Sequence, residues 1–271
     1  MQFLTLNFTL WRVFGVICMG LAVGATTLAI AYLSDPVVGV ALGLALATTT
    51  IGTLVTGFAV RIGYQVRQLE ARATLMAIVA DPSLFEHGTT YSARPDLLLE
   101  VVRTVRALSP KCVVEFGAGL STLAVARCLV DQGADGRLIS FEHDADYLEH
   151  VRKELTARGL LDRVTLVHAP LQEEDGRTWY DRSVVASHLE SVDLAIVDGP
   201  PRALGELSRE PALVAIAPHL TDSGVVLLDD AKRPGERRVL RRWQRMFPQA
   251  TVRQLYAERG IGRVDWRESV A

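Results

Sequence analysis

Apolar residues dominate the first sixty positions of the 271-residue chain, and shorter apolar runs recur over the rest. The early part holds two long runs, residues 13–33 and 37–60, which contain only apolar or small residues. Each exceeds the ~20 residues that a helix needs to cross a bilayer. Only Ser34-Asp35-Pro36 separates them, so the pattern predicts a transmembrane helical hairpin over residues 1–62. A buried hairpin of a soluble protein is the alternative.

Positively charged residues flank the two predicted spans. Arg12 precedes the first, the short turn carries no positive charge, and Arg61, Arg67 and Arg72 follow the second. Because positive charge near a span favours the cytoplasmic side, both termini and the domain that follows are predicted to be cytoplasmic. Neither span contains a charged residue, which argues against a transport pathway. Residues 63–82 keep a helical pattern and are predicted to form a juxtamembrane connector helix.

Residues 83–271 alternate between short β-branched or apolar runs and stretches with helical spacing. Such alternation is typical of an α/β domain with a parallel sheet. Five runs are predicted as strands, and two β-rich runs near the end are predicted to form a closing antiparallel hairpin. Residues 205–217 are predicted to form a helix between the fourth and fifth strands. The seven runs are residues 113–116, 137–141, 164–168, 192–197, 224–228, 251–257 and 261–266.

Composition and charge narrow the class of function. The formal net charge of −2 gives no basic surplus, so no nucleic-acid partner is expected. Cys18, Cys112 and Cys128 form no spaced pair, which argues against a zinc site or a disulfide framework. The apolar N-terminal part makes the lipid bilayer an expected partner.

A glycine-rich segment, Glu115-Phe116-Gly117-Ala118-Gly119-Leu120-Ser121-Thr122, joins the first predicted strand to a helix. Its glycines allow a tight turn and close approach of a ligand to the main chain. A dinucleotide-binding turn would have a third glycine where Thr122 stands, and a phosphate would avoid the acidic Glu115. Glu142, 23 residues beyond Gly119, ends the second strand. A carboxylate there can accept hydrogen bonds from ribose hydroxyls.

Three aspartates follow the fourth and fifth predicted strands: Asp198 after the fourth, and Asp229-Asp230 after the fifth. Ligands of open α/β sheets lie beyond the carboxyl ends of the strands, so Asp198 is the candidate catalytic base. Three close carboxylates repel one another, which favours a divalent cation such as Mg²⁺ bound by Asp198, Asp229 and Asp230. Arg202 or Lys232 is the alternative source of positive charge.

Residues 84–266 together resemble the class I methyltransferases that use S-adenosylmethionine (SAM). The resemblance is carried by the glycine-rich segment, Phe141-Glu142, Ala169-Pro170-Leu171, Val197-Asp198-Gly199-Pro200-Pro201 and Leu228-Asp229-Asp230. It implies an α/β fold, a Rossmann-like seven-stranded, mostly parallel sheet with helices on both faces and the last strand antiparallel. It also implies SAM binding by Glu115, Gly117, Gly119, Ser121, Glu142 and Ala169.

Within that family, the three aspartates are similar to the metal site of the cation-dependent O-methyltransferases. Those enzymes carry an Asp-Asn pair after the fifth strand, whereas this chain has Asp229-Asp230. Pro200-Pro201-Arg202 also stands where the catechol-type enzymes carry a lysine base.

The expected protein is a membrane-anchored enzyme whose methyltransferase domain occupies residues 83–271. It moves a methyl group from SAM to a hydroxyl of a small-molecule or lipid-linked acceptor, with a divalent cation as an expected aid. Two other functions stay open: a non-catalytic SAM-fold binding protein and a nicotinamide-dependent dehydrogenase, which Thr122 disfavours. Trp179 and Tyr180, within a polar stretch, either cover the ligand or pack a helix.

Overall fold

The computed structural model describes residues 24–26, 29–79, 81, 93–133, 135–174 and 176–267. The chain divides into two compact units, Met1–Gln65 and Val66–Ala271.

A long apolar helix, α1, spans Pro36–Ile78. Asp35 caps its start, because the Asp35 Oδ1 atom accepts the N–H of Val37 at 2.9 Å. Large apolar side chains in its first half face outward, among them Leu44 and Phe58, which are 64% and 67% exposed. The helix runs unbroken through residues 62 and 63, so the second predicted span and most of the predicted connector form one element.

Most of the first predicted span, residues 13–33, lies outside the described residues. Residues 29–34 are helical. A Cβ atom on Gly39 would lie only 2.7 Å from the Cα atom of Tyr32, which shows that the chain bends sharply near Asp35. Among the described residues, one helix, α1, is long and apolar enough to cross a membrane. The predicted pair of spans is therefore seen only as this single helix.

A seven-stranded sheet forms the centre of the second unit. Its strands are β1 (Cys112–Phe116), β2 (Arg137–Glu142), β3 (Val164–His168), β6 (Val192–Val197), β7 (Leu220–Leu228), β8 (Thr251–Leu255) and β9 (Ile261–Asp265). Their order in the sheet is β3-β2-β1-β6-β7-β9-β8, and only β9 runs antiparallel to the other six strands. The seven strands and the closing hairpin confirm the prediction.

Helices cover both faces of the sheet. Two clusters of buried apolar side chains lie on opposite faces of the sheet, because side chains alternate along a strand. In β1, Val113 belongs to one cluster and the next residue, Val114, to the other. The helices are α2 (Pro95–Leu108), α3 (Leu120–Asp131), α4 (Ala145–Ala157), α5 (Arg182–Ala186), α6 (Pro211–Ile216) and α7 (Pro234–Met246). The first three contribute to the cluster of Val113, and the last three to that of Val114.

The end of α1 belongs to this second unit. Ala71, Leu75 and Val79 are buried in the same cluster as Leu97 and Leu98 of α2. The connector predicted from the sequence is thus partly a core element of the sheet domain.

Two local elements differ from the prediction. The polar stretch after β3 forms a small hairpin of β4 (Leu171–Glu174) and β5 (Arg177–Tyr180). A helix was expected over residues 205–217, but the structure has a 3₁₀ turn at Arg202–Leu204 and the short α6. Pro211 begins α6 because its fixed φ suits a first helical turn and its missing N–H needs no partner there.

Candidate active site

A cleft of about 690 Å³ opens at the carboxyl ends of β1, β2, β6 and β7. The ends of β1 and β6 are tied together, since the Phe116 carbonyl accepts the N–H groups of Asp198 (3.0 Å) and Gly199 (2.7 Å). The Val197 carbonyl accepts the N–H of Asp229 at 3.0 Å. These bonds bring the first predicted turn and the three aspartates to one edge of the sheet.

The glycine turn leaves no room for side chains on the cleft floor. Gly117 has a φ of 100°, a conformation that glycine adopts far more readily than other residues. A Cβ atom on Gly117 would lie 3.0 Å from the nitrogen of Gly199. A Cβ atom on Gly199 would in turn collide with the hydroxyl oxygen of Tyr180. Both glycines are therefore required by close approach of the main chains of two loops.

Glu115 lies behind this turn. Its side chain is fully buried, and its Oε2 atom accepts hydrogen bonds from Thr122 Oγ1 at 2.5 Å and Ser140 Oγ at 2.7 Å. Burial raises the pKa of Glu115 to about 7, and the hydroxyls of Ser121, Thr122 and Ser140 only partly oppose this shift. Thr122 Oγ1 also accepts the N–H of Gly119 at 2.8 Å, so Glu115 holds the turn through Thr122.

Glu142 stands at the cleft surface. Its Oε1 atom accepts the N–H groups of His143 (2.8 Å) and Asp144 (2.9 Å), and its Oε2 atom accepts the N–H of Ala118 (3.1 Å). The carboxylate is thereby locked between the ends of β1 and β2 while lining the cleft. Its remaining acceptor capacity suits hydroxyl donors of a ligand.

The predicted SAM-binding residues divide into two groups. Gly117 and Glu142 line the cleft. Glu115, Gly119, Ser121 and Ala169 are not among its lining residues. Ala169 is fully buried, and its N–H donates to the Glu142 carbonyl at 2.8 Å, which places it behind the cleft wall.

Asp198, Asp229 and Asp230 converge as predicted, with carboxylate oxygens within 4.8 Å of one another. Burial raises the pKa of Asp198. The positive charge of Arg209 opposes this rise, and the negative charge of Asp230 adds to it. Burial also raises the pKa of Asp229 well above its ordinary value, with repulsion from Asp198 and Asp230 adding to it. The cluster therefore takes up protons more readily than isolated carboxylates do.

Arginines supply counter-charge to this cluster. Arg209, with a side chain only 6% exposed, donates from Nη2 to Asp198 Oδ1 at 3.0 Å and from Nη1 to the Asp229 carbonyl at 3.2 Å. Arg233 Nη1 lies 2.6 Å from Asp230 Oδ2. Of the counter-charges expected from the sequence, Arg202 lines the cleft, whereas Lys232 Nζ donates to the Ala257 carbonyl at 2.6 Å.

Tyr180 completes the cleft floor, and Trp179 packs behind it. Both side chains are buried and contact the ring of Phe116, with centroid distances of 5.7 and 5.3 Å. Among the described residues, none forms a hydrogen bond with the Tyr180 hydroxyl, although Tyr180 lines the cleft. The two aromatic residues lie on the strand β5, so the expectation that they pack a helix is wrong. Trp179 packs against Phe116 in the interior, and Tyr180 lines the cleft.

Sequence reasoning missed Arg209, Arg233 and Arg259 as members of the site. Arg209 lies in the stretch that was predicted to be helical, and nothing in its local pattern indicates a turn toward Asp198. Arg259 lies in the turn between β8 and β9, far from the aspartates in sequence.

Comparison with known proteins agrees with this geometry. Residues 114–231 match the family model of a methyltransferase domain. No curated protein sequence matches the chain.

Solved structures with a similar fold include a methyltransferase from Geobacter sulfurreducens, at a TM-score of 0.55 and 18% identity over 77% of this chain and 96% of that one. The SAH-bound Podospora anserina methyltransferase PaMTH1 has a TM-score of 0.52 and 17% identity over 74% and 88%. At such identities the similarity shows the fold. Joined to the family match, it identifies a SAM-dependent methyltransferase domain in this chain.

Proposed function

We propose that this protein is a membrane-anchored enzyme that transfers the methyl group of SAM to a hydroxyl of a small-molecule or lipid-linked acceptor. The observation that carries the proposal is the contact of Gly117 with Gly199, which makes one continuous cleft from Glu142 to Asp198. Glu142, which can accept hydrogen bonds from a nucleoside, and Asp198, the candidate base, then face the same space.

The residues of the cleft fit SAM by their chemistry. Glu142 offers a fixed carboxylate to the ribose hydroxyls, and Gly117 lets the ligand approach the main chain. The Tyr180 hydroxyl, which has no hydrogen-bond partner within the described part of the chain, offers a further polar contact on the floor. Glu115 and Thr122 act behind the surface, where the Thr122 hydroxyl accepts the N–H of the partly exposed Gly119 and so holds the shape of the turn.

Methyl transfer to oxygen is a single displacement. The bond between the methyl carbon and the SAM sulfur breaks with its electron pair moving to sulfur, as the acceptor oxygen forms its bond to that carbon. The proton of the acceptor hydroxyl passes to the Asp198 carboxylate, and the products are a methyl ether and S-adenosylhomocysteine. The protein contributes alignment and removal of the proton.

Asp198 is the proposed base because it reaches the cleft and its pKa is raised by burial. A carboxylate with a raised pKa accepts a proton near neutral pH more readily than an ordinary one. Arg209, 3.0 Å from Asp198 Oδ1, holds the carboxylate in place and limits the rise in its pKa.

The aspartates offer the oxygen ligands that a divalent cation takes. Two of the three carboxylates, however, already face a guanidinium: Asp198 faces Arg209, and Asp230 faces Arg233. The cluster therefore fits arginine counter-charges better than a cation, and the proposed reaction has no step through a metal. EDTA is expected to leave transfer unchanged. Loss of transfer in EDTA and its recovery with added Mg²⁺ would instead support the cation-assisted reaction.

The proposed anchor is the N-terminal part, with two spans at residues 13–33 and 37–60 and a cytoplasmic catalytic domain. Its support is the outward-facing apolar surface of α1 together with the arginines at both ends of the predicted hairpin. In water such a surface would be costly, whereas lipid chains would cover it.

A transfer assay tests the proposed activity. The full chain, in detergent, is incubated with radiolabelled SAM and fractions of a membrane extract, and labelled products are separated. Asp198→Asn should lose transfer and keep SAM binding by calorimetry, because the amide cannot accept the proton. Arg241→Gln, an exposed change on α7, serves as the control. If the chain binds SAM but labels no acceptor in any fraction, the non-catalytic binding protein becomes the better description.

A further inference from the structure

We infer that the acceptor carries an oxyanion, a phosphate or carboxylate group, which Arg202, Arg233 and Arg259 bind at the mouth of the cleft. The inference rests on the proposed function, since it assigns the acceptor end of the same cleft. Nothing in the SAM-binding half requires these three arginines.

The first observation is the surroundings of Asp230. Three guanidinium groups approach its carboxylate within 4 Å: Arg233 at 2.6 Å, Arg209 at 3.6 Å and Arg259 at 3.7 Å. Asp198 pairs with Arg209, and Glu236 lies 3.9 Å from Arg233. Among the described residues, Arg259 forms an ion pair only with the shared Asp230, and Arg202 forms none.

The balance over the whole acceptor end agrees. The guanidinium groups there belong to Arg202, Arg209, Arg233 and Arg259, and the carboxylates beside them to Asp198, Asp229, Asp230 and Glu236. The four charges of each sign cancel only if all four acids are ionised. Burial raises the pKa values of Asp198 and Asp229, which favours an excess of positive charge.

The second observation is depth. Asp230 is 2% exposed and Asp229 8%, whereas the side chains of Arg233 and Arg259 are 29% and 45% exposed. Arg202 is exposed as well. A molecule entering the cleft therefore meets guanidinium groups before it meets carboxylates. Arginine clusters at a cleft mouth are suited to carboxylate and phosphate groups, whose oxygens match the fork of N–H donors.

Arg233 and Arg259 are held near Asp230, but most of their N–H donors stay available for a ligand. Arg259 Nη1 stands 3.7 Å from Asp230 Oδ1, which is beyond hydrogen-bond distance. Arg233 uses one nitrogen on Asp230 at 2.6 Å, and a guanidinium has five N–H donors. Asp230 therefore acts as a buried anchor that aims the two side chains, and donors are left for a ligand.

The third observation is that Glu258 links Arg94, at the mouth of the cleft, to Gln68 of α1. Arg94 lines the cleft and pairs with Glu258 at 2.7 Å, and the same Glu258 oxygen accepts a hydrogen bond from Gln68 at 3.1 Å. Gln68 follows Val60, the last residue of the apolar run, by eight positions in the sequence. An oxyanion on a lipid headgroup and one on a soluble molecule are both sources of the inferred chemistry.

Phenyl phosphate is the probe for the shared chemistry, measured by calorimetry on the full chain in detergent with S-adenosylhomocysteine present. We expect binding that weakens by about tenfold or more when Arg202 and Arg259 are both changed to Gln, since charge-assisted hydrogen bonds are lost. Arg241→Gln should bind like the unaltered chain, and SAM affinity should not change in either variant. Phenol, which lacks the oxyanion, should bind far more weakly than phenyl phosphate.

Nanodiscs distinguish the two sources. If a lipid headgroup is the ligand, phosphatidic acid in phosphatidylcholine discs should compete with phenyl phosphate and raise its apparent Kd. An unchanged Kd assigns the site to a soluble oxyanion. SAM binding without phenyl phosphate binding, or an unaffected double variant, overturns the inference and leaves the proposed function standing. Failure to bind SAM overturns the proposed function itself.

Discussion

Thr122 donates a 2.5 Å hydrogen bond from its hydroxyl to the buried Glu115 carboxylate. The same hydroxyl accepts the N–H of Gly119 at 2.8 Å. The residue that departs from a dinucleotide-binding turn is therefore the one that ties this turn to the end of β1. A glycine there could make neither bond.

Replacing Thr122 by Val tests this link. Valine has nearly the same shape but no hydroxyl, so Glu115 loses a donor and the Gly119 N–H loses its acceptor. We expect the free energy of unfolding to fall by about 1–3 kcal/mol and SAM affinity to fall with it, since the turn loosens. Thr122→Ser keeps the hydroxyl and should restore most of both quantities. A Val variant with unchanged SAM affinity in calorimetry would show that the link does not shape the site.

Glu115 should make stability depend on pH. Its pKa is raised from 4.5 to about 7 in the folded protein, so the folded state holds a proton that the unfolded chain releases. The stabilisation is complete below pH 4.5 and is lost as the pH rises to about 7, a difference of about 3 kcal/mol at 1.36 kcal/mol per pH unit. Glu115→Gln removes this titration. Urea unfolding followed by tryptophan fluorescence should show its stability, relative to the unaltered chain, increasing across that window. Parallel stability curves for the two proteins would contradict the assignment.

Tyr180→Phe should separate stability from ligand binding. The hydroxyl is buried without a hydrogen-bond partner among the described residues, so its removal should raise the free energy of unfolding by about 1 kcal/mol. If the hydroxyl contacts the bound ligand, SAM affinity should fall by about tenfold, the equivalent of 1.4 kcal/mol. Thermal unfolding and calorimetry measure the two effects. A variant that is more stable and binds SAM unchanged would remove Tyr180 from the binding site.

Membrane attachment can be tested by truncation. The full chain should stay in the pellet after alkaline carbonate extraction, and a chain starting at Val66 should be soluble and folded. A chain starting at Ser83 should be less stable by about 2–5 kcal/mol, because it lacks the buried Leu75 and its neighbours on α1. Release of the full chain by carbonate would argue against the anchor. Equal stability of the two truncated chains would argue against a core role for the end of α1.

The sequence alone determined the order of the strands along the chain and the position of the site. Apolar runs of strand length predict buried parallel strands, and a parallel sheet brings all their carboxyl ends to one edge. The meeting of Gly117, Glu142 and the three aspartates at that edge was therefore predictable. The closing hairpin of β8 and β9 followed from two β-rich runs around a short turn, and the structure confirms it.

Only the tertiary structure decided which side chains reach the cleft. Glu115 and Ala169 have sequence positions typical of ligand contacts, yet burial places both behind the cleft wall. Arg209 lies in a stretch whose local pattern does not indicate a site residue, and the turn before α6 brings it to Asp198. The sequence left the role of Tyr180 open, and the β4–β5 hairpin brings its hydroxyl to Gly199. Local periodicity records which face of an element is apolar. The approach of a side chain from a distant loop depends on packing, and packing is a property of the whole fold.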